Sequence, residues 1–289
     1  MSQTKDKPRP PAIVRTLKDL RRRVATWRRD GESVALVPTM GALHEGHLTL
    51  VRAARKKADC CVVSIFVNPT QFAPTEDLSR YPRDEAGDLA KLASVGADLV
   101  WSPSPDEMYP QGFATRIEVA GAAEGLEGKF RPHHFGGVAT VCCKLFSQVT
   151  PDIAVFGEKD YQQLCVIRQM VRDLNLPLSI HGVPTVREKD GLALSSRNAY
   201  LSAEERLVAP SLNAALRGVA AKVADGGRPG PAVRAAAASL ERAGFAGVDY
   251  IAVCDAETLA DWKPGTGRPG RVLGAAWLGR TRLIDNVAV

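Results

Sequence analysis

Short apolar runs alternate with longer amphipathic segments through the first two thirds of the chain. The apolar runs are VALVPT (34–39), CVVSIFV (61–67), LVWSP (99–103), DIAVFG (152–157) and LSIHGVPT (178–185). Strands that are apolar on both faces are typical of a parallel sheet covered by helices on each side. The alternation therefore predicts an α/β protein with a Rossmann-like parallel sheet in its N-terminal domain, residues 1–184.

The pattern changes after about residue 184. An alanine-rich helix is predicted over EERLVAPSLNAALRGVAAKVA (204–224), and a second over AVRAAAASLERAG (232–244), with DGGRPGP as a linker between them. Two strand-like runs follow, VDYIAVCD (248–255) and RVLGAAWLG (271–279). These elements predict a smaller α+β domain over residues 185–289, and we expect the functional site between the two domains.

The charge balance narrows the class of partner. The chain of 289 residues has 38 Lys and Arg against 32 Asp and Glu, a net charge of +6 that suits anionic small substrates. Part of the excess lies in RTLKDLRRRVATWRR (15–29), which is interpreted as the solvated face of a helix. Because it lacks a mixed basic and aromatic patch, nucleic-acid binding is not expected.

The cysteine pattern predicts a reduced, cytoplasmic protein. None of the six cysteines forms a C-x-x-C pair, and two pairs are adjacent in sequence, where bridging is rare. The first residues, MSQTKDKPRPP, lack the apolar core of a signal peptide. No run of 18 apolar residues predicts a membrane span.

The segment PTMGALHEGH (38–47) is the first candidate site. It follows a predicted strand, where open parallel sheets bind ligands. Gly41 relieves the turn and Gly46 leaves room for a ligand, while His44 and His47 are placed near a helix N-terminus that attracts anions. A zinc site is disfavoured because H-E-x-x-H spacing is absent. Taken singly, each histidine is better explained by an ordinary structural role.

Two further segments follow predicted strands. In FVNPTQF, Asn68 and Gln71 suit recognition of hydroxyl and carboxylate groups, but from this stretch alone an ordinary Asn-Pro turn is the better explanation. In FGEKDYQQL, Lys159 suits phosphate and Asp160 suits a ribose. Asp160 and Gln163 also have the spacing of a helix capping box.

The fourth segment is DGLALSSRN (190–198). Ser195 and Ser196 suit hydrogen bonding to phosphate oxygens, and Arg197 suits bidentate pairing with them. A serine hydrolase is the rival interpretation, but G-x-S-x-G is absent and no base is placed beside either serine. A helix cap is the structural alternative for these serines.

Together these segments resemble the pantothenate synthetase (pantoate–β-alanine ligase) family. The motifs VPTMGALHEGHLTLV, SIFVNPTQF, EDLSRYPRD, FGEKDYQQL and LALSSRNAYLS occur in the family's order and spacing. H-x-G-H alone would indicate only the wider nucleotidyltransferase and class I aminoacyl-tRNA synthetase superfamily. The resemblance implies that pantoate and ATP form pantoyl adenylate and pyrophosphate. β-Alanine then displaces AMP to give pantothenate, a coenzyme A precursor.

Site residues are carried over from the matching motif positions. The resemblance implies His44, His47 and Lys159 as catalytic, with His47 as proton donor to the leaving group. Gln71 and Gln163 are implied to bind pantoate. The residues implied to bind ATP are Met40, Gly41, Ala42, Leu43, His44, Glu45, Gly46, His47, Gly157, Glu158, Lys159, Asp160, Val186, Leu194, Ser195, Ser196 and Arg197.

The resemblance also implies cofactors and assembly. Mg²⁺ should enter with ATP through phosphate oxygens and waters. Asp88 matches an acidic position that some family members use for metal, but Gly87 and Lys91 beside it are not ligand types, so no protein-held metal is predicted. A homodimer is implied. The polar segment 73–84 and the SSRN loop are expected to close over the site.

Two rival functions remain. Another H-x-G-H adenylyl- or cytidylyltransferase would transfer the nucleotide and stop. A non-catalytic basic module would bind nucleic acid in a salt-sensitive way. The extension before Pro11 matches nothing in the family and is predicted to be disordered.

Overall fold

A computed structural model describes residues 10–73 and 78–289. Residues 1–9, in the N-terminal extension, and residues 74–77, in the segment expected to close over the site, lie outside the described residues. The chain forms two compact units. The first comprises residues up to 119 together with 133–157 and 167–183, and the second comprises residues 120–132, 158–166 and 184–289.

The first unit contains a six-stranded parallel sheet, as the alternating pattern predicts. Its strands are β1 (Ala12–Val14), β2 (Val34–Thr39), β3 (Cys60–Ile65), β4 (Leu99–Trp101), β5 (Ile153–Gly157) and β6 (Ser179–Val183). They are ordered β1-β4-β3-β2-β5-β6, and every pairing is parallel. β1 was not predicted, since three residues at a sheet edge give little apolar signal.

The central strands are buried on both faces. In β2, Val34, Ala35, Leu36 and Val37 are all fully buried although alternate side chains point to opposite sides. Helices therefore cover both faces of the sheet, which is the reason the sequence shows continuous rather than alternating apolar residues. This confirms the α/β prediction for the first unit.

Ten helices are present in the described ranges, and none of them is long and apolar enough to span a membrane. They are α1 (Leu17–Arg29), α2 (Glu45–Arg55), α3 (Glu85–Ser94), α4 (Pro105–Met108), α5 (Leu126–Phe130), α6 (His134–Val149), α7 (Tyr161–Asp173), α8 (Ala203–Val208), α9 (Ser211–Ala224) and α10 (Pro229–Ala243).

The prediction of one continuous helix over 204–224 was wrong. α8 ends at Val208 and α9 begins at Ser211, with Pro210 between them. Proline lacks a backbone N–H and its ring clashes with the carbonyl four residues earlier, so the helix breaks there. The predicted linker is also shorter, because Pro229 opens α10 at a position where its missing N–H costs nothing.

The second unit contains a three-stranded antiparallel sheet. Its strands are β7 (Gly247–Asp255), β8 (Gly270–Leu278) and β9 (Thr281–Ala288), in that order. Two of them match the predicted runs, whereas β9 was missed because TRLIDNVA consists of successive polar and apolar pairs and so shows neither a continuous apolar run nor strict alternation. α9 and α10 pack on this sheet through Leu216 and Leu240, which are fully buried.

The second unit includes two segments, residues 120–132 and 158–166, that lie in sequence between parts of the first unit. Buried polar groups hold both segments. Gln162, which is 3% exposed, donates from Nε2 to the carbonyl of Ala122, and its Oε1 accepts from the backbone N–H of Glu127. Asn286 donates from Nδ2 to the carbonyls of Glu158 and Lys159 at 2.8 and 2.9 Å. These bonds tie residues 120–132 and 158–166 to β9 and its neighbours.

None of the six cysteines forms a disulfide, and five of them are buried, which suppresses their reactivity. Desolvation raises the pKa of Cys60, Cys61 and Cys142 to about 12. Because the thiolate is the reactive form, we expect these three to resist iodoacetamide at pH 8 in the native protein and to react in urea. Intact-mass spectrometry checks this, and rapid native labelling of Cys61 or Cys142 would contradict the described burial.

Candidate active site

The sheet of the first unit has a topological switch point between β2 and β5. From β2 the chain proceeds through β3 to β4 on one side, whereas from β5 it proceeds to β6 on the other. Ligands of open α/β sheets bind outside the carboxyl ends of strands at such a point. PTMGALHEGH leaves the end of β2, FVNPTQF leaves β3 beside it, and Gly157 ends β5.

His44 and His47 cap α2 reciprocally. His44 is the N-cap residue, and its Nδ1 accepts from the backbone N–H of Gly46 at 3.1 Å. The backbone N–H of His44 donates in turn to Nδ1 of His47 at 3.3 Å. The ring centroids lie 4.1 Å apart. The predicted helix N-terminus is thus confirmed, and both histidines are part of its capping structure.

This capping fixes the histidine tautomers. A neutral imidazole nitrogen that accepts a hydrogen bond carries no proton, so the proton of each ring lies on Nε2. Both residues therefore present an Nε2–H donor at the positive end of a helix. The structural and the functional interpretation of these histidines coincide, because the cap orients the donors. Glu45, the first residue of the helix, forms an ion pair with Arg52.

Gln71 lies against the same loop. Its Nε2 is 3.1 Å from the sulfur of Met40, and its Oε1 accepts from Nδ2 of Asn68 at 3.1 Å. Asn68 is 1% exposed, and its Oδ1 accepts from the hydroxyls of Thr70 and Tyr109. The Asn-Pro turn that was the structural alternative is therefore present. It keeps the side-chain amide of Gln71 beside Met40.

Residues 158–160 form a short 3₁₀ turn after β5. The Lys159 side chain is 21% exposed, and its Nζ lies 3.7 Å from Oδ1 of Asp160. Asn286 fixes the backbone of the turn, and Arg271 pairs with Glu158 at 3.1 Å. Sequence reasoning missed Asn286, which lies in the unpredicted strand β9. Gln163, in the first turn of α7, is partly exposed.

A hairpin brings together the predicted ATP residues near 186 and 194. The backbone N–H of Leu194 donates to the carbonyl of Val186 at 3.0 Å. Arg187 is held by Asp285 through bonds of 2.7 and 2.9 Å. Asp285 was also missed, because only the folded β9 brings it to the hairpin.

The SSRN segment opens a 3₁₀ turn, Ser196–Tyr200. The Ser195 hydroxyl accepts from the backbone N–H of Arg197 at 3.3 Å. Ser195 therefore caps the turn, which was the structural alternative for this residue. A hydroxyl that accepts can still donate, which leaves its own hydrogen available to an anion. Ser196 and Arg197 follow directly at the start of the turn.

The described residues do not include a group of three or more His, Cys, Asp or Glu that would hold a metal ion. Asp88, the acidic residue considered above as a possible metal ligand, is 1% exposed. Its two oxygens accept from the backbone N–H groups of Ala42 and Leu43, and Lys91 lies 3.7 Å away. This donor set does not fit a Mg²⁺ ion held by protein carboxylates.

The chain matches known proteins over nearly its whole length. The family model of pantoate–β-alanine ligase matches residues 12–288. The pantothenate synthetase of Mesorhizobium japonicum is 59% identical over 279 residues, covering 96% of this chain and 98% of the relative. That of Caulobacter vibrioides is 56% identical over 281 residues, covering 96% and 99%.

Solved structures agree with the sequence comparison. Pantothenate synthetase from Thermus thermophilus superposes with a TM-score of 0.86 at 49% identity, covering 96% of this chain and 98% of that one. Pantoate–β-alanine ligase from Francisella tularensis, complexed with beta-gamma ATP and β-alanine, gives 0.80 at 33% identity, covering 96% and 97%. The chain therefore belongs to the pantoate–β-alanine ligase family.

Proposed function

We propose that this protein is the ATP-dependent ligase that condenses pantoate with β-alanine to pantothenate through pantoyl adenylate. The observation that carries the proposal is the reciprocal His44–His47 cap at the switch point of the sheet. Two oriented Nε2–H donors at a helix N-terminus suit the phosphates of ATP. Family membership over residues 12–288 supports the same reaction.

The first half-reaction uses the substrate as nucleophile. A pantoate carboxylate oxygen attacks the α-phosphorus of ATP, the bond to the bridging oxygen breaks, and pyrophosphate leaves. The protein supplies orientation and charge stabilisation rather than a covalent nucleophile. His44 and His47 donate Nε2–H hydrogen bonds to phosphate oxygens. Because Nδ1 of His47 accepts a hydrogen bond and carries no proton, this neutral ring stabilises the departing pyrophosphate by hydrogen bonding rather than by releasing its remaining proton.

The second half-reaction forms the amide. The neutral amine of β-alanine attacks the acyl carbon of the adenylate, AMP leaves with the bonding electron pair, and the proton released from the amine passes to solvent. Because the adenylate is a mixed anhydride, water must be excluded until β-alanine arrives. Because no pyrophosphate departs in this step, it depends less on the histidines than the first.

Roles for the other predicted residues form part of the proposal. Lys159, Ser195, Ser196 and Arg197 hold phosphates, and Gln71 and Gln163 hold pantoate. The remaining ATP contacts are Met40, Gly41, Ala42, Leu43, Glu45, Gly46, Gly157, Glu158, Asp160, Val186 and Leu194. The placement of Gln71 beside Met40 and the bond between Leu194 and Val186 support these assignments.

Assembly and setting are proposed on the same basis. Mg²⁺ binds with ATP through phosphate oxygens. This agrees with the contacts of Asp88, whose two carboxylate oxygens already accept hydrogen bonds from backbone N–H groups. We propose a cytoplasmic homodimer, with residues 1–184 as the ATP- and pantoate-binding domain and 185–289 as a lid domain. Six cysteines without a disulfide among them support a reducing compartment.

A product assay tests the reaction. With ATP, Mg²⁺ and pantoate, we expect about one pyrophosphate per site, because the adenylate stays bound. Adding β-alanine should convert this burst into continuous AMP release. Pyrophosphate turnover that ignores β-alanine would instead indicate a nucleotidyltransferase, and the absence of ATP consumption would refute the proposal.

A further inference from the structure

The loop between β2 and α2 adopts an unfavourable backbone conformation. Gly41 has φ 82° and Ala42 has φ 51°, so two successive residues are left-handed and one of them has a side chain. Such conformations persist only where surrounding contacts impose them. The loop leads directly into His44, so whatever imposes its shape also places the histidine cap.

Asp88 of α3 supplies the main contact to this loop. Its Oδ2 accepts from the backbone N–H of Ala42 at 2.9 Å, and its Oδ1 accepts from that of Leu43 at 2.8 Å. A Cβ atom on Gly41 would lie 3.1 Å from Oδ2 of Asp88 and 3.2 Å from Ile65. One carboxylate thus binds two consecutive amides of the strained turn, and glycine permits the close approach.

Lys91, one helical turn later, completes the arrangement. Its Nζ donates to the carbonyl of Leu43 at 2.8 Å and lies 3.7 Å from Oδ1 of Asp88. It therefore offsets the charge of a carboxylate that is 1% exposed and also satisfies a loop carbonyl. The backbone of Leu43 is held from both sides, at its N–H by Asp88 and at its carbonyl by Lys91.

Helix α3 does not itself require these contacts. Its N-terminus is capped by Asp84, whose side chain accepts from the backbone N–H of Gly87 at 3.0 Å. Asp88 is thus not needed as a cap, and its oxygens point away from its own helix into the loop. Burying a carboxylate and directing it and a lysine at one loop costs free energy, and the stability of α3 gives no reason for that cost.

We propose that Asp88 and Lys91 are positioning residues that impose the left-handed turn at Gly41 and Ala42 and thereby set the tautomer and direction of His44 and His47. The catalytic part of this inference rests on the proposed function. Neither residue contacts substrate in this account. Their effect reaches the reaction through the histidine cap, which the turn precedes by one residue.

Asp88→Asn is the direct test. The amide nitrogen of asparagine faces one of the two backbone N–H groups, so that donor loses its acceptor. We expect the pyrophosphate burst with pantoate to slow by roughly 100-fold, as for a displaced catalytic group, with smaller changes in the KM for ATP and pantoate. Lys91→Met should act in the same direction, and Lys91→Arg should restore most of the rate.

Glu85→Gln is the matched control. It removes one carboxylate charge from the same helix, but Glu85 is exposed and pairs with Arg15. We expect a native burst rate from this variant. Thermal melting establishes that each variant is folded, and if Asp88→Asn does not fold, the comparison of Lys91→Met with Lys91→Arg decides.

Long-range ¹H–¹⁵N spectra of histidine-labelled protein provide a readout that does not depend on activity. Wild-type His44 and His47 should show unprotonated Nδ1 and protonated Nε2, and Asp88→Asn should shift both signals, whereas Glu85→Gln should not. Unchanged histidine signals in folded Asp88→Asn would overturn the proposal whatever its rate. An inactive wild type would refute the proposed function, yet these spectra would still test the positioning role.

Discussion

His47→Ala should slow the pyrophosphate burst by roughly 100- to 1,000-fold, the usual effect of removing one oriented donor from a charge-stabilising site. The substitution removes the Nε2–H donor and also the Nδ1 acceptor that binds the backbone N–H of His44 at 3.3 Å. Quench-flow measurement of pyrophosphate with ATP and pantoate detects the loss. AMP release from preformed pantoyl adenylate should fall much less.

Two further variants separate the role of His47 in capping α2 from its role in the reaction. The side-chain amide of asparagine lies near the place of Nδ1, so His47→Asn should keep the cap and stability but lose the burst. The longer glutamine places its amide near Nε2, so His47→Gln should retain more activity at some cost in stability. A fully active His47→Asn would show that the cap alone matters and would contradict stabilisation of the pyrophosphate by the Nε2–H of His47.

Arg282→Met should destabilise the second unit by about 3–5 kcal/mol, as expected when a buried ion pair loses one partner. Arg282 donates to Glu127 at 2.8 Å and to Asp249 at 2.6 Å, and these side chains are only 15%, 9% and 16% exposed. Tyr250 donates to the same Glu127 carboxylate at 3.0 Å. Without Arg282, Asp249 loses its arginine partner, and Glu127 is left with the longer ion pair to Arg131, at 3.9 Å.

Urea unfolding followed by circular dichroism measures this loss. Arg280→Met is the matched control, since Arg280 is exposed in the turn between β8 and β9 and its replacement should change the free energy of unfolding by no more than about 0.5 kcal/mol. Equal midpoints for the two variants would show that the Glu127–Arg282 contact contributes little to the attachment of residues 120–132.

The sheet of the first unit was predictable because its signal is local. β2 and β3 appear as continuous apolar runs since both of their faces are buried, and the glycine and histidine pattern of PTMGALHEGH marks the following turn. β1 and β9 were missed for the opposite reason. A three-residue edge strand and a strand without a regular apolar period depend on the neighbours with which they pair.

The candidate site divides in the same way. Residue types that bind phosphate or amide groups were recognisable from the motifs, and the resemblance named His44, His47, Gln71 and Lys159. The residues that hold these side chains in place were not recognisable from the sequence. Asp88 lies more than 40 residues after the loop that it binds, and Asn286 lies more than 120 residues after the turn that it anchors.

The sequence by itself determined the fold class, the family and the chemical groups available to the site, because periodicity, glycine placement and motif spacing are properties of neighbouring residues. The break at Pro210 also has a local cause, a missing backbone donor, which the sequence already contained. Only the tertiary structure decided which nitrogen of each histidine carries the proton and why the turn at Gly41 and Ala42 is held, because both depend on hydrogen bonds between residues that meet only when the chain is folded.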